Sequence, residues 1–440
     1  MTSDSIPSDL PLPTSNPVVT NPAPAVTNPE RLVERAHRAA QILAHTNGDN
    51  RSAALKAMAT ALRESQDDIL DANTLDLEAC QDMAIPDLIK EWLKLTPERL
   101  DDSADMLDYL GNLADPLQRV MSTTYGEDQN QAYVQPMPLG VIALVYEGLP
   151  ELSAIAAGLC IRTGNSLILR GGAEASYSNG AIVSALKGAL EQQDLPSDCL
   201  LNLGGDEGIS LKALITQDRW INLVIPYGRP SLVQRVIQQA TTPVLKTGMG
   251  NCYLYWSASG KFDTVRWIIV DSHASEPDPV NAIEKVLISR EVKEIMVRSL
   301  WKHLKERGFT IRLDAELAAQ YPDCPFPIET EWSQPYLEKI VAFRLVNDLT
   351  EAVTWINNCS SGHADVLASE SYGESRYFSQ QLNSAICYIN TSPRFYRSSG
   401  QGMTIALGMC NQKGHRRGRI SLETFTTIKK VVLGNGTGDT

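Results

Sequence analysis

Residues 138–174 read PLGVIALVYEGLPELSAIAAGLCIRTGNSLILRGGAE, and the fold class follows from them. Gly140–Tyr146 is a β-branched, almost charge-free run, the composition of a strand buried on both faces. Pro150 suits the first turn of a helix, where its fixed φ fits and no donor is needed. Leu152, Ile155, Leu159 and Ile161 then recur at roughly helical spacing. Gly164-Asn165 tolerates the left-handed cap that stops a helix. Ser166–Leu169 is a second buried strand, followed by Arg170-Gly171-Gly172. Strand, helix and strand make a parallel βαβ unit, and a glycine turn at its end is a common place for a nucleotide. The same residues also read as a structural βαβ unit with no ligand.

Upstream, residues 1–28 are rich in Pro, Ser, Thr and Asn and read as a disordered tail. Asn28-Pro29-Glu30 opens a helix with a capping side chain, a first-turn proline and an acid facing the dipole. Its apolar stripe is Leu32, Ala36, Ala40 and Leu43. A second helix covers about Arg51–Ser65 and another runs toward Cys80. Thr96-Pro97-Glu98 starts a helix through about Leu113. Val120–Met137 alternates, with turn signals at Tyr125–Asp128, and reads as a hairpin reaching away from the core.

Downstream, strands at Leu200–Leu203, Ile221–Ile225, Thr242–Leu245 and Cys252–Trp256 alternate with helices at Ser178–Gln192, Gly208–Thr216 and Pro230–Ala240. That alternation signals an open α/β sheet. Gly204–Gly208 is not a dinucleotide fingerprint and reads as a turn. Val280–Lys305 reads as a long helical region. Strands follow at Thr310–Leu313, Lys339–Val346, Ala364–Leu367 and Ala385–Asn390, with helices at Glu351–Asn358 and Ser371–Leu382. Thr426–Val432 is β-rich and is expected to pair with the Val120 hairpin, in this subunit or another.

The 440 residues suggest two or three domains, and 43% hydrophobic content supplies a large core. A net charge of −13 disfavours a nucleic-acid partner. No apolar run reaches about 18 residues, so no membrane span is expected. The N-terminus lacks the regions of a secretory signal. Eight scattered cysteines with no CxxC pair fit reduced thiols in a cytoplasm rather than disulfides or a zinc site.

A set of ordered segments adds a resemblance. They are LTPERL at 95–100, PLGVIALVYEG at 138–148, GNSLILRGGAEA at 164–175 and TGMGNC at 247–252. SGHADVLAS at 361–369, AICYINTSPRF at 385–395, and HRRG with LETFTTIKK within 415–430 complete the set. Across about residues 30–436 the chain resembles the γ-glutamyl phosphate reductase (glutamate-5-semialdehyde dehydrogenase) family, a branch of the aldehyde dehydrogenase superfamily. The resemblance implies an α/β, aldehyde dehydrogenase-like fold. It implies a nucleotide-binding domain at 29–119 and 138–266, a catalytic-type domain at 267–405, and an oligomerisation arm at 120–137 and 406–434, before a short tail at 435–440. It also implies a cytoplasmic homo-oligomer that reduces L-glutamyl 5-phosphate to glutamate 5-semialdehyde with NADPH in proline synthesis. In the family a cysteine thiolate attacks the acyl phosphate and hydride reduces the thioester; a thiolate is the form of cysteine that can attack.

By the same resemblance, Arg170, Gly171, Gly172 and Glu174 match the region that holds the adenosine end of NADPH. An arginine there suits a 2′-phosphate; a turn with a solvated arginine is the plainer alternative. Asn251, Ser361, Gly362, His363 and Asn390 match substrate-side motifs, although His363 also reads as a buried structural histidine. Cys252 matches a family cysteine that is not the nucleophile and is expected to pack. Arg416, Arg417 and Arg419 read as local pairing or an interface.

The nucleophile itself is missing. In the family it directly precedes an Asn-Ala pair opening a helix, and here Val280 precedes Asn281-Ala282. An isopropyl group cannot attack a carbonyl. Loss of a covalent nucleophile costs on the order of 10⁶ in turnover in another enzyme. The family's Ala-Arg-Pro-Asn is Gly148-Leu149-Pro150-Glu151 here, and its Pro-Arg-Gly-Gly turn is Pro226-Tyr227-Gly228-Arg229. Its Gly-Ala-Glu-Ile-Gly becomes Thr404–Gly408, and the acid that holds the nicotinamide ribose falls at Pro335. Two functions stay open. One is the family reaction, through an unrecognised nucleophile or a direct hydride route. The other is a non-catalytic paralogue acting in binding, regulation or assembly.

Overall fold

The computed structural model describes residues 29–125, 131–204, 209–275, 277–321, 329–398, 404–411 and 417–434. The expected tails at 1–28 and 435–440, turn residues 126–128, most of the Gly204–Gly208 turn, and Arg416 lie outside the described residues.

Helices come first: α1 (Pro29–His45), α2 (Gly48–Glu64), α3 (Gln66–Asp82), α4 (Asp87–Leu93) and α5 (Pro97–Asn112). The Thr96 hydroxyl caps α5 by accepting the Arg99 amide at 3.3 Å, ahead of a first-turn Pro97. Helix α4 was not expected. Its seven residues are too few to display a stripe, yet they bury Ile89, Trp92 and Leu93.

β1 (Ser122–Tyr125) and β2 (Gln131–Pro138) form the antiparallel hairpin. The βαβ unit follows as β3 (Val141–Tyr146), α6 (Leu152–Arg162) and β4 (Ser166–Arg170). Every residue of β3 and of α6 is buried, which the near absence of charge allows. Then come α7 (Ser176–Gln192), β5 (Leu200–Asn202), α8 (Leu211–Ile215), β6 (Leu223–Tyr227) and α9 (Pro230–Gln239). The four strands make a parallel sheet in the order β5-β4-β3-β6. The chain steps outward from β3 to β5 and returns to β6 on the other side of β3. The carboxyl ends of β3 and β6 therefore flank the point where the winding reverses.

β7 (Thr247–Gly248) and β8 (Cys252–Trp256) lead into the second unit. It continues through α10 (Phe262–Ser272), β9 (Ile283–Ser289), α11 (Glu294–Glu306), β10 (Thr310–Leu313) and α12 (Ala315–Gln320). β11 (Ile340–Val346), α13 (Leu349–Cys359), β12 (Ala364–Ala368), α14 (Tyr372–Gln381) and β13 (Ile386–Ile389) complete it. Its parallel sheet runs β10-β11-β9-β8-β12-β13. β14 (Met409–Cys410) pairs with β7 and with β15 (Gly418–Arg419). β16 (Thr426–Leu433) pairs antiparallel with β2 in the same chain. The expected 406–434 range thus holds two pieces, one packed in the body and one in the three-stranded β1-β2-β16 sheet.

Two expectations are corrected. Val280–Lys305 is not one helix, because Ile283–Ser289 is the fully buried strand β9 between β8 and β11. A short apolar run fits either element, and the charges inside it, Glu284 and Lys285, are both buried, so they mark no solvent face. Thr242–Leu245 is not a strand; it contributes one isolated bridge, Val224 to Val244. Pro243 has no N–H to donate to a ladder.

Candidate active site

Val280 lies in the turn before β9, fully buried against Phe395, Ala406 and Met409. Its carbonyl accepts the Gly250 amide at 2.9 Å and His363 Nε2 at 2.8 Å. Asn281-Ala282 leads into a strand rather than opening a helix, which corrects that expectation. Asn281 is anchored by its Nδ2 donating to the Pro393 carbonyl at 2.7 Å.

Because a carbonyl only accepts, His363 Nε2 carries the proton. Burial pushes His363 down to about 4, so the ring is neutral. Its Nδ1 is buried without a hydrogen-bond partner among the described residues. The backbone of Gly248 lies against that nitrogen, and a Cβ there would come within 2.7 Å of it. Cys252 Sγ lies 3.3 Å from His363 Nε2. Burial raises the Cys252 thiol well above its ordinary range, and the adjacent nitrogen is a donor, not a base. Burial also raises the thiols of Cys160, Cys199 and Cys387. None of these four supplies the thiolate missing at position 280.

The other substrate-side positions divide. Asn251, at φ +53, donates its amide to Glu284 Oε2 at 2.9 Å and its Nδ2 to the Cys359 carbonyl at 2.8 Å. Ser361 donates its hydroxyl to the Gly250 carbonyl at 2.8 Å. Gly362 makes room for Asn411, whose Nδ2 donates to the Ser361 carbonyl at 2.7 Å. These residues gather with His363 around Val280. Asn390 does not. It closes the opposite end of β12, where its Oδ1 accepts the Ser369 amide at 2.9 Å and its Nδ2 donates back to the Ser369 carbonyl at 2.7 Å. The strand between His363 and Ser369 separates the two places by roughly 20 Å.

At the end of β4, Arg170 donates to the carbonyls of Leu203 at 3.2 Å and Gly204 at 2.9 Å. Glu174 accepts the Gly148 amide at 2.9 Å, and burial pushes its carboxyl up. Gly171 and Gly172 are glycines for their own neighbours, since a Cβ would collide with Asn179 and with Glu174 respectively. Asp76 already caps the Tyr177 and Ser178 amides at the start of α7, at 3.0 and 2.7 Å. Beside this turn Glu147 and Arg229 form a two-pronged ion pair, at 3.0 and 2.9 Å.

A cavity of about 880 Å³ opens between α5, α6 and the loop that precedes Val280. Its wall includes Arg99, Glu151, Ser275, Asp278, Arg394 and Arg397. Arg99 pairs with Glu151, and Arg397 donates to Asp278 Oδ1 at 2.6 Å. With Asp102 and Asp105 the wall carries four acids against three arginines. None of these residues was expected as a site residue. Glu151 was visible only as a departure from the family pattern, and Asp278 and Arg397 carried no local signal.

Residues 2–306 match the aldehyde dehydrogenase family. The chain belongs to that family. Within it, the γ-glutamyl phosphate reductase 2 of Synechocystis sp. is 48% identical over 405 residues, which cover 92% of this chain and 96% of that protein. The solved γ-glutamyl phosphate reductase of Thermotoga maritima is 27% identical with a TM-score of 0.85, covering 94% of this chain and all of that one. A betaine aldehyde dehydrogenase of Staphylococcus aureus, solved in complex with NAD⁺, shares the fold at 15% identity, with a TM-score of 0.67 over 94% of this chain and 90% of its own. The aldehyde dehydrogenase-like α/β fold expected from the sequence is therefore the observed one. Among the described residues no helix is long and apolar enough to cross a membrane.

Proposed function

We propose that this protein serves the γ-glutamyl phosphate reductase step of proline synthesis, interconverting L-glutamyl 5-phosphate and glutamate 5-semialdehyde without an acyl-enzyme. The observation that carries the assignment is 48% identity to a reductase of that name over nearly the whole length of both chains. Val280, at the position that matches the family's nucleophile, offers no thiolate to form a thioester. NADPH is the reductant this reading requires, and when bound it would supply hydride. Its nicotinamide end does not fit the chain as it stands: Tyr227, the last residue of β6, is buried and bonded to Asp278 two residues before Val280. The chain's own part is to hold the substrate in the cavity beside Asp278 and Arg397 and to keep water out of the apolar pocket around Val280. The protein acts in the cytoplasm as a homo-oligomer joined through the three-stranded sheet.

A second reading, a non-catalytic paralogue that binds the same ligands, is favoured by the sealed position of Val280. Two assays decide between them on folded protein: NADPH oxidation with L-glutamyl 5-phosphate, and oxidation of glutamate 5-semialdehyde with NADP⁺ and phosphate. Turnover above background is expected under the first reading. Ligand binding without turnover leaves the second. A covalently trapped acyl group would overturn the nucleophile-free chemistry.

A further inference from the structure

The crevice at the winding reversal, between the carboxyl ends of β3 and β6, is where an open parallel sheet ordinarily receives a nucleotide. At the carboxyl end of β6 a side chain reaches across to the loop before Val280. Tyr227, the last residue of that strand, is 1% exposed. Its hydroxyl donates to Asp278 Oδ2, two residues before Val280. Arg397 donates to the other Asp278 oxygen at 2.6 Å and to the Leu407 carbonyl at 2.5 Å. Its guanidinium lies 5.6 Å from the centre of the Tyr227 ring. Gly408 gives the ring its space, since a Cβ there would collide with the ring edge. One phenol thus ties the first sheet to the loop before β9, to Arg397 and to Gly408.

We propose that Tyr227 is a latch on this crevice: while it is engaged, the nicotinamide end of a dinucleotide cannot lie between β6 and residue 280, whereas the adenosine end does not reach it. This rests on the nucleotide reading above. The physical reason is volume. A close-packed interior leaves no slab for a second aromatic ring, so the phenol must swing out first. Leaving costs the hydroxyl's bond to Asp278 and exposes a buried ion pair, so the closed form dominates in the free protein. Burial raises the Tyr227 hydroxyl above its usual range, which keeps it a donor.

The test is calorimetric titration of the full chain, Tyr227→Ala and Tyr227→Phe with NADPH and with 2′,5′-ADP, beside amide exchange across 277–285. The adenosine fragment should bind all three forms equally. NADPH should bind Tyr227→Ala at least tenfold more tightly than the unmodified chain, with Tyr227→Phe between. Exchange near Asp278 should quicken in both variants. Equal NADPH affinity in the unmodified chain and Tyr227→Ala, with the fragment bound, overturns the latch and leaves the cofactor reading standing. No nucleotide bound to any form overturns the cofactor reading. In that case quicker exchange still supports the pin on Asp278, and unchanged exchange removes it too. Should Tyr227→Ala fail to fold, Tyr227→Phe decides alone, because it keeps the ring and loses only the hydroxyl.

Discussion

At position 280 an isopropyl group is held by Phe395, Ala406 and Met409 and offers no electron pair to a carbonyl. Restoring sulfur should not restore the family's chemistry. In Val280→Cys the thiol would sit in the same apolar cluster, beside a His363 nitrogen already donating to the residue-280 carbonyl. The variant should lose about 1 kcal/mol of stability and show no acyl adduct by mass spectrometry with L-glutamyl 5-phosphate. Normal turnover from that one change would show the rest of the site intact and sink this view. His363 makes a pH prediction. Burial lowers it to about 4 from 6.5, so the fold favours the neutral ring. Its contribution is complete above about pH 6.5 and is lost as pH falls toward 4, on the order of 3 kcal/mol in all. Asp365 runs the other way: burial raises it to about 6 from 3.8, so its share is complete below 3.8 and lost as pH rises through 6. Urea midpoints of the unmodified chain and His363→Gln should therefore draw together, by loss in the former, between pH 6.5 and 4. A gap independent of pH would remove the assignment.

At the scale of elements, β9 is the strand on which the site is hung. Glu284, at its second residue, accepts the amides of Asn251 at 2.9 Å and of Tyr336 and Leu337 at 2.8 Å each. It thereby joins the start of β8 to the segment carrying Pro335. Lys285 lies 3.5 Å away, equally buried, with its ammonium 3.6 Å from the Tyr336 ring. Glu284→Ala strands three donors and a cation, and should cost roughly 3 kcal/mol in urea unfolding. Lys285, held at about 8 by burial against the opposing pull of Glu284, should titrate lower still. A loss below 1 kcal/mol, or an unmoved lysine, would mean that water or a neighbour already serves those donors. The same pair explains why β9 was misread. Charges normally mark a solvent face, and here they satisfy one another and the backbone inside the sheet. Helix α4 and the separation of Asn390 from His363 were hidden for related reasons: one is too short for a period, and the other depends on which end of β12 each residue meets.

For the whole molecule, the three-stranded sheet has an open edge on β16, where Ile428, Val432 and Leu433 are exposed. An apolar edge strand is a template for another chain. Light scattering should find the full chain as a homo-oligomer and a chain ending at Phe425 as a smaller species that still melts cooperatively. A monomeric full chain would end that proposal. The sequence by itself determined the parallel βαβ core, since charge-free runs stopped by glycine and asparagine have no stable place except inside a sheet covered on both faces. It also determined that no sulfur stands at position 280. Only the tertiary structure decided that β9 is a strand, that Asn390 stands apart from the substrate-side cluster, and that Tyr227 meets Asp278 and Arg397. Tyr227 and Asp278 lie 51 positions apart, and Asp278 and Arg397 lie 119 apart. Local periodicity records which face of an element is buried; it carries no information about which distant side chain that face will find.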